Sequence, residues 1–267
     1  MHLPSLAQVE AAMMDLRGGI GAWRLGHLMA WQDIKKRYRR STLGPVWLTL
    51  SSAVQILTIS FLSSFLFNSS LQRSLPFVCA GMLFWGMISQ MINDGSYLFL
   101  STQSYLMQIK RPLTLFVIQA IWRNMIILAH NSVIYFVIAI ILVVIPSSAI
   151  LIWPLGFVLD LVCLSWMVLF VAIVSVRYRD VPVIIQNVLG IVFWFTPLMY
   201  FPEQLGSQQY LVEYNPLTHM IALLRAPLIG SVPTIENWIV VLSVTVLGWI
   251  TTFLFFARFR ARVVYWL

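Results

Sequence analysis

Side chains that perform acid, base or metal chemistry are few in this sequence and lie far apart. The chain has nine acidic residues and four histidines, and no two acidic residues lie within four positions of each other. His2, His27, His130 and His219 form neither the HExxH nor the HxxxH spacing that places two ligands on one helix face. No GxxxxGK[ST] phosphate-binding loop is present. These patterns predict a chain without a catalytic site, a metal site or a bound cofactor of its own.

A few polar residues interrupt long apolar stretches, where an unpaired charge is costly. Asp160 is either a proton or substrate site or an acid that hydrogen-bonds a neighbouring helix. Arg123, in the sequence IWRN, lies near the start of its apolar stretch, so its guanidinium can extend to the membrane interface. His130 and Asn131 are expected to join helices through hydrogen bonds. We favour the structural interpretation for all of these positions.

The densest positive charge is in WQDIKKRYRRSTLGPVW, residues 31–47, where five of the six residues 35–40 are basic. Such a cluster is typical of a nucleic-acid contact, of a membrane-orientation signal or of a working element at the membrane surface. The chain is 60% hydrophobic and 10% charged, whereas soluble domains contain about 25% charged residues. No charge occurs from Val46 to Phe67. The composition therefore predicts a membrane protein.

Six segments are long and apolar enough to cross a bilayer, since about 20 such residues span the hydrocarbon core as a helix. They lack the alternation of barrel strands, and lipid cannot satisfy open backbone groups. The predicted fold is an all-α integral membrane protein with six transmembrane helices in a single domain, residues 1–267. The predicted spans are 46–67, 75–92, 115–145, 149–176, 181–201 and 238–257.

The lysines and arginines are distributed unevenly between the two sides of these spans. Of the 17 basic residues, only Arg73 and Arg225 fall on the side opposite the N-terminus. Because basic residues concentrate on the cytoplasmic side, both termini are predicted to be cytosolic. The same asymmetry explains the net charge of +8 without a nucleic-acid partner.

Three segments outside the spans have patterns of their own. Residues 19–43 carry apolar and aromatic side chains every three or four positions, which predicts an amphipathic helix in the inner interface that ends at Gly44-Pro45. Residues 93–112 are predicted to form an inner helix for a cytosolic partner. Residues 202–236 are too polar and proline-rich to span, so they are predicted to form outer re-entrant helices.

Aromatic residues make up 14% of the chain and lie mostly near the ends of the predicted spans, which is typical of an interfacial belt. Aromatic faces also stack on the C–H faces of sugar rings. The best candidates for such a channel lining are Trp194, Phe195, Tyr200 and Phe201.

Several sequence elements together match a known family. They are KKRYRRSTLGPVW, MLFWGMISQMINDGSYL, QIKRPL, VRYRDVPVIIQNVLGIVFWFTPLMY and YNPLTHMIALLRAPLIG. With these elements the chain resembles the membrane (permease) subunit of a type-2 ABC exporter, in the branch that exports O-antigen, capsular polysaccharide or teichoic acid.

The resemblance implies a homodimer that binds two copies of a separate cytosolic ATP-binding subunit, which holds ATP and Mg²⁺. It implies a lipid-linked polysaccharide as substrate, within membrane lipid, although no motif specifies the sugar. It also assigns roles to residues of this chain. The substrate gate would contain Trp31, Lys35, Lys36, Arg37, Tyr38, Arg39 and Arg40. Coupling to the ATPase would involve Asp94, Tyr97, Tyr105 and Lys110.

Two other functions remain open at this stage. One is a type-2 ABC exporter of a small drug or lipid, which would share the same architecture. The other is a membrane-bound glycosyltransferase or acyltransferase, which would require a converging pair of acids or histidines.

Overall fold

The computed structural model describes residues 4–37, 39, 44, 46–108 and 110–267, and these ranges contain helices and turns with no β-strand. They confirm the all-α prediction. Two short 3-10 helices, Ser148–Leu151 and Pro202–Gln208, accompany the α-helices. The α-helices are α1 (Leu6–Gly21), α2 (Trp23–Arg37), α3 (Val46–Leu66), α4 (Leu71–Ser101), α5 (Gln103–Gln108), α6 (Leu113–Ile141), α7 (Trp153–Arg177), α8 (Val181–Phe195), α9 (Tyr210–Glu213), α10 (Pro216–Leu228) and α11 (Ile235–Trp266).

Five of the described helices are long and apolar enough to cross a membrane, namely α3, α4, α6, α7 and α11. The sixth predicted span is the shorter apolar helix α8, which has 15 residues. It ends at Phe195, short of the predicted boundary at residue 201. The reason is Pro197, because a residue that precedes proline is disfavoured in the α conformation. Thr196 is accordingly extended, with ψ of 130°.

Other helix boundaries also differ from the predicted ones. α4 continues to Ser101, so the first part of the segment 93–112 prolongs a span, and only α5 is a separate short helix. α11 likewise continues to Trp266, beyond the predicted boundary at residue 257. Hydropathy shows where the sequence stops being apolar. A helix can continue beyond that point, until its backbone leaves the helical conformation.

The predicted amphipathic helix is two helices, α1 and α2, with a break at Ala22. α1 begins at a capping box formed by Ser5 and Gln8, well before the predicted start at residue 19. The face of α2 that packs on α6 contains Ala30 and Ile34, which are buried, whereas Trp23 and Trp31 are partly exposed. Trp23 nevertheless stacks on Trp122 of α6, with ring centroids 6.1 Å apart, so it also contributes to the packing of α2 on the bundle.

α4 is the central helix of the bundle and α3 the most peripheral of the long ones. In the most apolar 18-residue stretch of α4, 78% of the residues are buried, whereas in the corresponding stretch of α3 only 17% are buried. α4 packs against α3, α6, α7, α8 and α10. An apolar helix with as little cover as α3 requires lipid or another subunit on its open face.

Asp15 of α1 holds one end of the bundle together. Its carboxylate accepts hydrogen bonds from the backbone N–H groups of Leu113 and Thr114 and from the Thr114 hydroxyl. These two N–H groups belong to the first turn of α6, where they lack partners within the helix. The Arg260 Nε of α11 donates to the same carboxylate at 2.7 Å. Gly19 permits this contact, because a Cβ there would overlap Thr114.

We expect Asp15→Ala to destabilise the chain strongly, because it leaves the α6 N–H groups and Arg260 without their shared acceptor. Removing one partner of a buried ion pair costs about 3 to 5 kcal/mol. The matched control is Glu10→Ala, at an exposed position of the same helix. Thermal unfolding of the purified protein checks this, and equal Tm values for the two variants would contradict it.

Candidate functional site

A cavity of about 560 Å³ lies between α3, α4, α6 and α8, within the apolar part of the bundle. We call it the amide groove, because each of the four helices contributes at least one uncharged amide side chain. The lining also contains Ser52 and Ser89 and the rings of Trp85 and Phe193. The amides are Gln55 of α3, Gln90 and Asn93 of α4, Asn124 and Asn131 of α6 and Gln186 of α8.

Amides on four apolar helices are explained by the groove itself. A polar group facing lipid is costly, whereas one that faces a water-filled cavity keeps its hydrogen bonds. Gln55, Gln90 and Gln186 are exposed to this space. None of the described residues that line the groove is charged. The groove therefore offers hydrogen-bond donors and acceptors without a fixed charge.

Two aromatic rings form part of the groove wall. Trp85 of α4 and Phe193 of α8 lie with their ring centroids 5.7 Å apart in an edge-to-face arrangement. Neither was among the predicted channel-lining residues. A single aromatic residue in an apolar span does not show which way it points, so the sequence does not distinguish these two rings from the other aromatics.

The predicted channel-lining aromatics do not line this groove. Trp194 and Phe195 are 65% and 48% exposed, so they remain candidates for a path completed by another subunit. The Tyr200 hydroxyl donates to the Trp194 carbonyl at 3.1 Å. Phe201 is buried against Phe77, with ring centroids 4.3 Å apart. Phe201 is thus a packing residue and is not accessible to a passing substrate.

At the end of the groove nearer α2, one arginine lies between two aspartates from different helices. Arg123 of α6 contacts Asp33 of α2 at 3.3 Å and Asp94 of α4 at 2.8 Å. A second hydrogen bond runs from the Arg123 Nε to Asp94 at 3.2 Å. Arg123 therefore does not extend freely to the interface. It joins α2 to the centre of the bundle.

Neutral amides complete the coordination of the two aspartates. The amide nitrogens of Asn124 and Gln90 donate to Asp94 at 2.9 and 2.8 Å. Gln119 donates to Asp33 at 2.7 Å. We call this set the Arg123 network, and it contains the six residues Asp33, Gln90, Asp94, Gln119, Arg123 and Asn124. Two of its amides, Gln90 and Asn124, also line the amide groove.

The network changes the interpretation of the predicted coupling residues. Asp94 was predicted to contact the ATPase, but its carboxylate lies within α4 and is engaged by the network. Tyr97 and Tyr105 are 47% and 54% exposed at the same end of the bundle, and Lys110 is also exposed. Of the four predicted coupling residues, Tyr97, Tyr105 and Lys110 are therefore the ones that a partner subunit can contact.

The predicted gate residues lie only partly within the described ranges. Trp31 is exposed, and the ammonium of Lys35 lies 5.6 Å from the centroid of its ring. Lys36 and Arg39 are exposed as well. Tyr38 and Arg40, together with the side chain of Arg37, lie outside the described residues. Their assignment to a gate stays a prediction.

At the opposite end of the bundle, α10 packs under the segment that follows α8. Asn215 accepts a hydrogen bond from the Leu217 N–H at the start of α10, and its amide donates to the Thr196 hydroxyl at 2.9 Å. Arg225 donates to the carbonyl of Pro197 at 2.6 Å. The TPLMY and NPL elements of the sequence are therefore partners in space.

Arg225 is buried although it carries a charge. Its guanidinium lies 3.8 Å from the centroid of the Phe77 ring, in a cation–π contact. Burial lowers the pKa of Arg225 to about 9, and the Glu203 carboxylate raises it. The side chain therefore remains charged at neutral pH. It ties α10 to the start of α4 and to the irregular backbone after α8.

Further hydrogen bonds fix the position of α10. The Tyr135 hydroxyl donates to the Leu228 carbonyl at 2.7 Å, and the Trp153 indole N–H donates to the Leu224 carbonyl at 3.0 Å. His219 bridges the Glu213 carbonyl and the Asn237 side chain. These contacts make the segment between α8 and α11 a packed cap that returns to the side it started from.

Comparison with known proteins places these features in a family. Residues 25–229 match the ABC-2 type transporter family. The chain belongs to this family. It is also 20% identical, over 198 residues, to the O-antigen export system permease protein RfbA of Myxococcus xanthus, an alignment that covers 73% of this chain and 76% of that protein. As an ABC-2 transporter the chain is a multi-pass membrane subunit, and membership implies an ATP-binding partner subunit. The matched residues run from α2 to the end of α10, so they include the groove, the Arg123 network and the cap.

We expect Arg123→Ala to destabilise this ABC-2 transporter subunit by about 3 to 5 kcal/mol, because two carboxylates then face each other without a cation. Arg123→Ala combined with Asp94→Asn should be more stable than Arg123→Ala alone, since the repulsion is removed. Arg17→Ala, at an exposed position of α1, is the control. Tm measurements of the unmodified protein, these three variants and Asp94→Asn alone decide, and purely additive effects of the two substitutions would refute a coupled network.

Proposed function

We propose that this chain is the channel-forming subunit of an ABC transporter that exports lipid-linked polysaccharide, of the O-antigen or capsule type, across the bacterial inner membrane. ATP hydrolysis in a separate subunit, which holds ATP and Mg²⁺, drives the transport. The observation that carries the proposal is the amide groove, an uncharged polar channel wall built into an apolar bundle.

The chemistry of the groove fits a sugar polymer. Sugar hydroxyls donate and accept hydrogen bonds, and so do the amides of Gln55, Asn131 and Gln186. Because no described lining residue is charged, no single contact is strong enough to halt a chain that must keep moving. The faces of Trp85 and Phe193 add apolar contact for the C–H side of a sugar ring. The name of the relative RfbA, an O-antigen export permease, supports the same substrate class.

A homodimer would complete the path. The outward faces of α3 and α8 carry large exposed apolar side chains, among them Val54, Phe61, Ile184 and Ile191. A two-fold interface places the same surface of each subunit against its copy. Pairing through α3 and α8 would bring the two grooves, which these helices border, to face one shared channel. Trp194 and Phe195, at the end of α8, would then lie next to that channel.

The distribution of charge supports an orientation with the α2 end in the cytosol. Arg73 and Arg225 lie at the α10 end, and the other basic residues that the structure describes cluster toward the end that carries α1, α2, α5 and the last turns of α11. By the positive-inside rule the α2 end is cytosolic, as are both termini. The exposed α5 and the tyrosines Tyr97 and Tyr105 then face the compartment that contains ATP.

A mechanical route follows from the Arg123 network. Closure of the ATP-binding subunits pushes on α5 and on the neighbouring helix α2. Because Asp33 of α2 is joined to Asp94 of α4 through Arg123, a movement of α2 reaches the wall of the amide groove directly. In the proposed cycle this movement opens the groove to the lipid-linked substrate.

The groove gives a matched test on a single helix. We expect Gln186→Leu to lower export of surface polysaccharide by roughly tenfold, since the loss of one or two hydrogen bonds of about 1 kcal/mol each has that effect on a rate. The neighbouring variant Asn187→Leu introduces the same side chain at an exposed position that does not line the groove, and an apolar residue is compatible with the apolar α8 face that it shares with Ile184 and Ile191. It should export normally. Both variants are compared at equal membrane abundance, and equal export would refute the groove as the path.

The partner and the substrate are tested together by co-purification. The chain should form a stable complex with an ATP-binding subunit encoded beside it, and the lipid-linked glycan should stimulate ATP hydrolysis by that complex. Absence of a complex would contradict the proposal that this chain works with that ATP-binding subunit. Stimulation by small amphiphilic drugs but not by the glycan would instead indicate a drug or lipid exporter.

A further inference from the structure

A second cavity, of about 680 Å³, lies between α2, the junction of α4 and α5, and the start of α6. We call it the interfacial cavity. Its volume is in the range of small-molecule sites. One side of it is apolar. The apolar wall consists of Leu25, Leu28, Met29, Leu98, Leu115 and Phe116.

The rim of the interfacial cavity is polar and positively charged. Lys36 of α2 and Arg111, just before α6, line it, together with Gln32 and Tyr105. Both cations are exposed, and among the described residues neither forms an ion pair. The single carboxylate in the lining, Asp33, is already engaged by the Arg123 network. The rim therefore has an excess of positive charge beside an apolar wall.

We propose that the interfacial cavity binds an acidic phospholipid of the surrounding bilayer. The phosphate would lie between Lys36 and Arg111, and the first part of an acyl chain would lie along the apolar wall. Basic pockets between membrane helices on the cytoplasmic side bind acidic headgroups in this way. A free phosphate ion would leave the apolar wall in contact with water, and a zwitterionic lipid would leave the charge excess uncompensated.

The location separates this ligand from the transported substrate. Gln119 and Arg123 line the interfacial cavity, whereas Gln90 and Asn124 line the amide groove. The Arg123 network thus forms the partition between the two cavities. A lipid in the interfacial cavity lies outside the proposed export path, and it contacts α2, α5 and α6 at once. It acts as a bound component that holds α2 against the bundle, independently of the nature of the exported molecule.

The test measures lipid binding by this chain, purified in a neutral detergent and reconstituted in nanodiscs. One set contains phosphatidylcholine alone and the other an equimolar mixture with phosphatidylglycerol. Native mass spectrometry should show phosphatidylglycerol retained in preference to phosphatidylcholine. K36Q/R111Q should lower the phosphatidylglycerol affinity about 25-fold, since each cation near the bilayer contributes about fivefold.

The matched control is K35Q/K110Q. It removes two positive charges from the same two segments, but neither residue lines the cavity, so phosphatidylglycerol retention should stay close to that of the unmodified protein. Equal losses in the two double variants would show a general surface attraction and would overturn the site. A second variant, Ser101→Trp, fills the cavity wall without changing charge and should also expel the lipid.

Folding and the identity of the lipid are controlled separately. Each variant must keep its Tm in phosphatidylcholine nanodiscs, where the acidic lipid is absent. Expression in a host that makes no lipid-linked glycan should leave phosphatidylglycerol bound to the unmodified protein. Recovery of only a lipid-linked glycan from a host that makes one, or equal retention of the two phospholipids, would overturn the proposal. Neither result would affect the export function, which rests on the amide groove.

Discussion

The ion pairs of Arg123 are the interaction on which the α2 end of the bundle depends. One guanidinium from α6 faces carboxylates from α2 and α4, and the side chains of Arg123, Asp33 and Asp94 are only 18%, 32% and 13% exposed. Neither Asp33 nor Asp94 can be left unpaired there without a large cost, so the three helices keep a common position. The amides of Gln119 and Asn124 donate further hydrogen bonds to the two carboxylates, and connected polar networks of this kind restrict side-chain movement.

The α10 end meets a similar problem with different chemistry. Arg225 is buried and forms no ion pair with a carboxylate of the described residues; it is held by the Pro197 carbonyl and the Phe77 ring. The Pro197 carbonyl lies after the end of α8, so no N–H group of that helix donates a hydrogen bond to it. One arginine thus satisfies irregular backbone that would otherwise be unsatisfied at membrane depth. Asn215 and Thr196 complete the same junction, which explains why two separate proline-containing elements occur in the sequence.

Composition and hydropathy predict the all-α class, the apolar segments and the folding back of the chain after α8, because each depends on local side-chain character. They do not predict contacts between helices. The sequence around Asp94 is typical of a loop, because no neighbouring residue indicates that Asp94 forms an ion pair with Arg123 of another helix. The groove amides are distributed over four apolar segments, and only their convergence distinguishes a polar groove wall from helix packing. One local indication was present: Gln90 and Asp94 are four residues apart, as are Gln119 and Arg123, so each pair shares a helix face.

The Arg123 network adjoins the amide groove, so a change in its ion pairs affects amides that line the groove. Gln90 and Asn124 each have an amide nitrogen committed to Asp94 while they also line the groove. If α2 moves away, Asp33 leaves Arg123, and the guanidinium is left with Asp94 as its one carboxylate. A stronger pairing with Asp94 competes with the amide donors for the same oxygens. The amides are then released toward the groove, where they can bind a substrate hydroxyl. In the proposed transporter, a displacement of α2 would therefore change the hydrogen-bonding capacity of the groove wall, without any helix of the wall having to unfold.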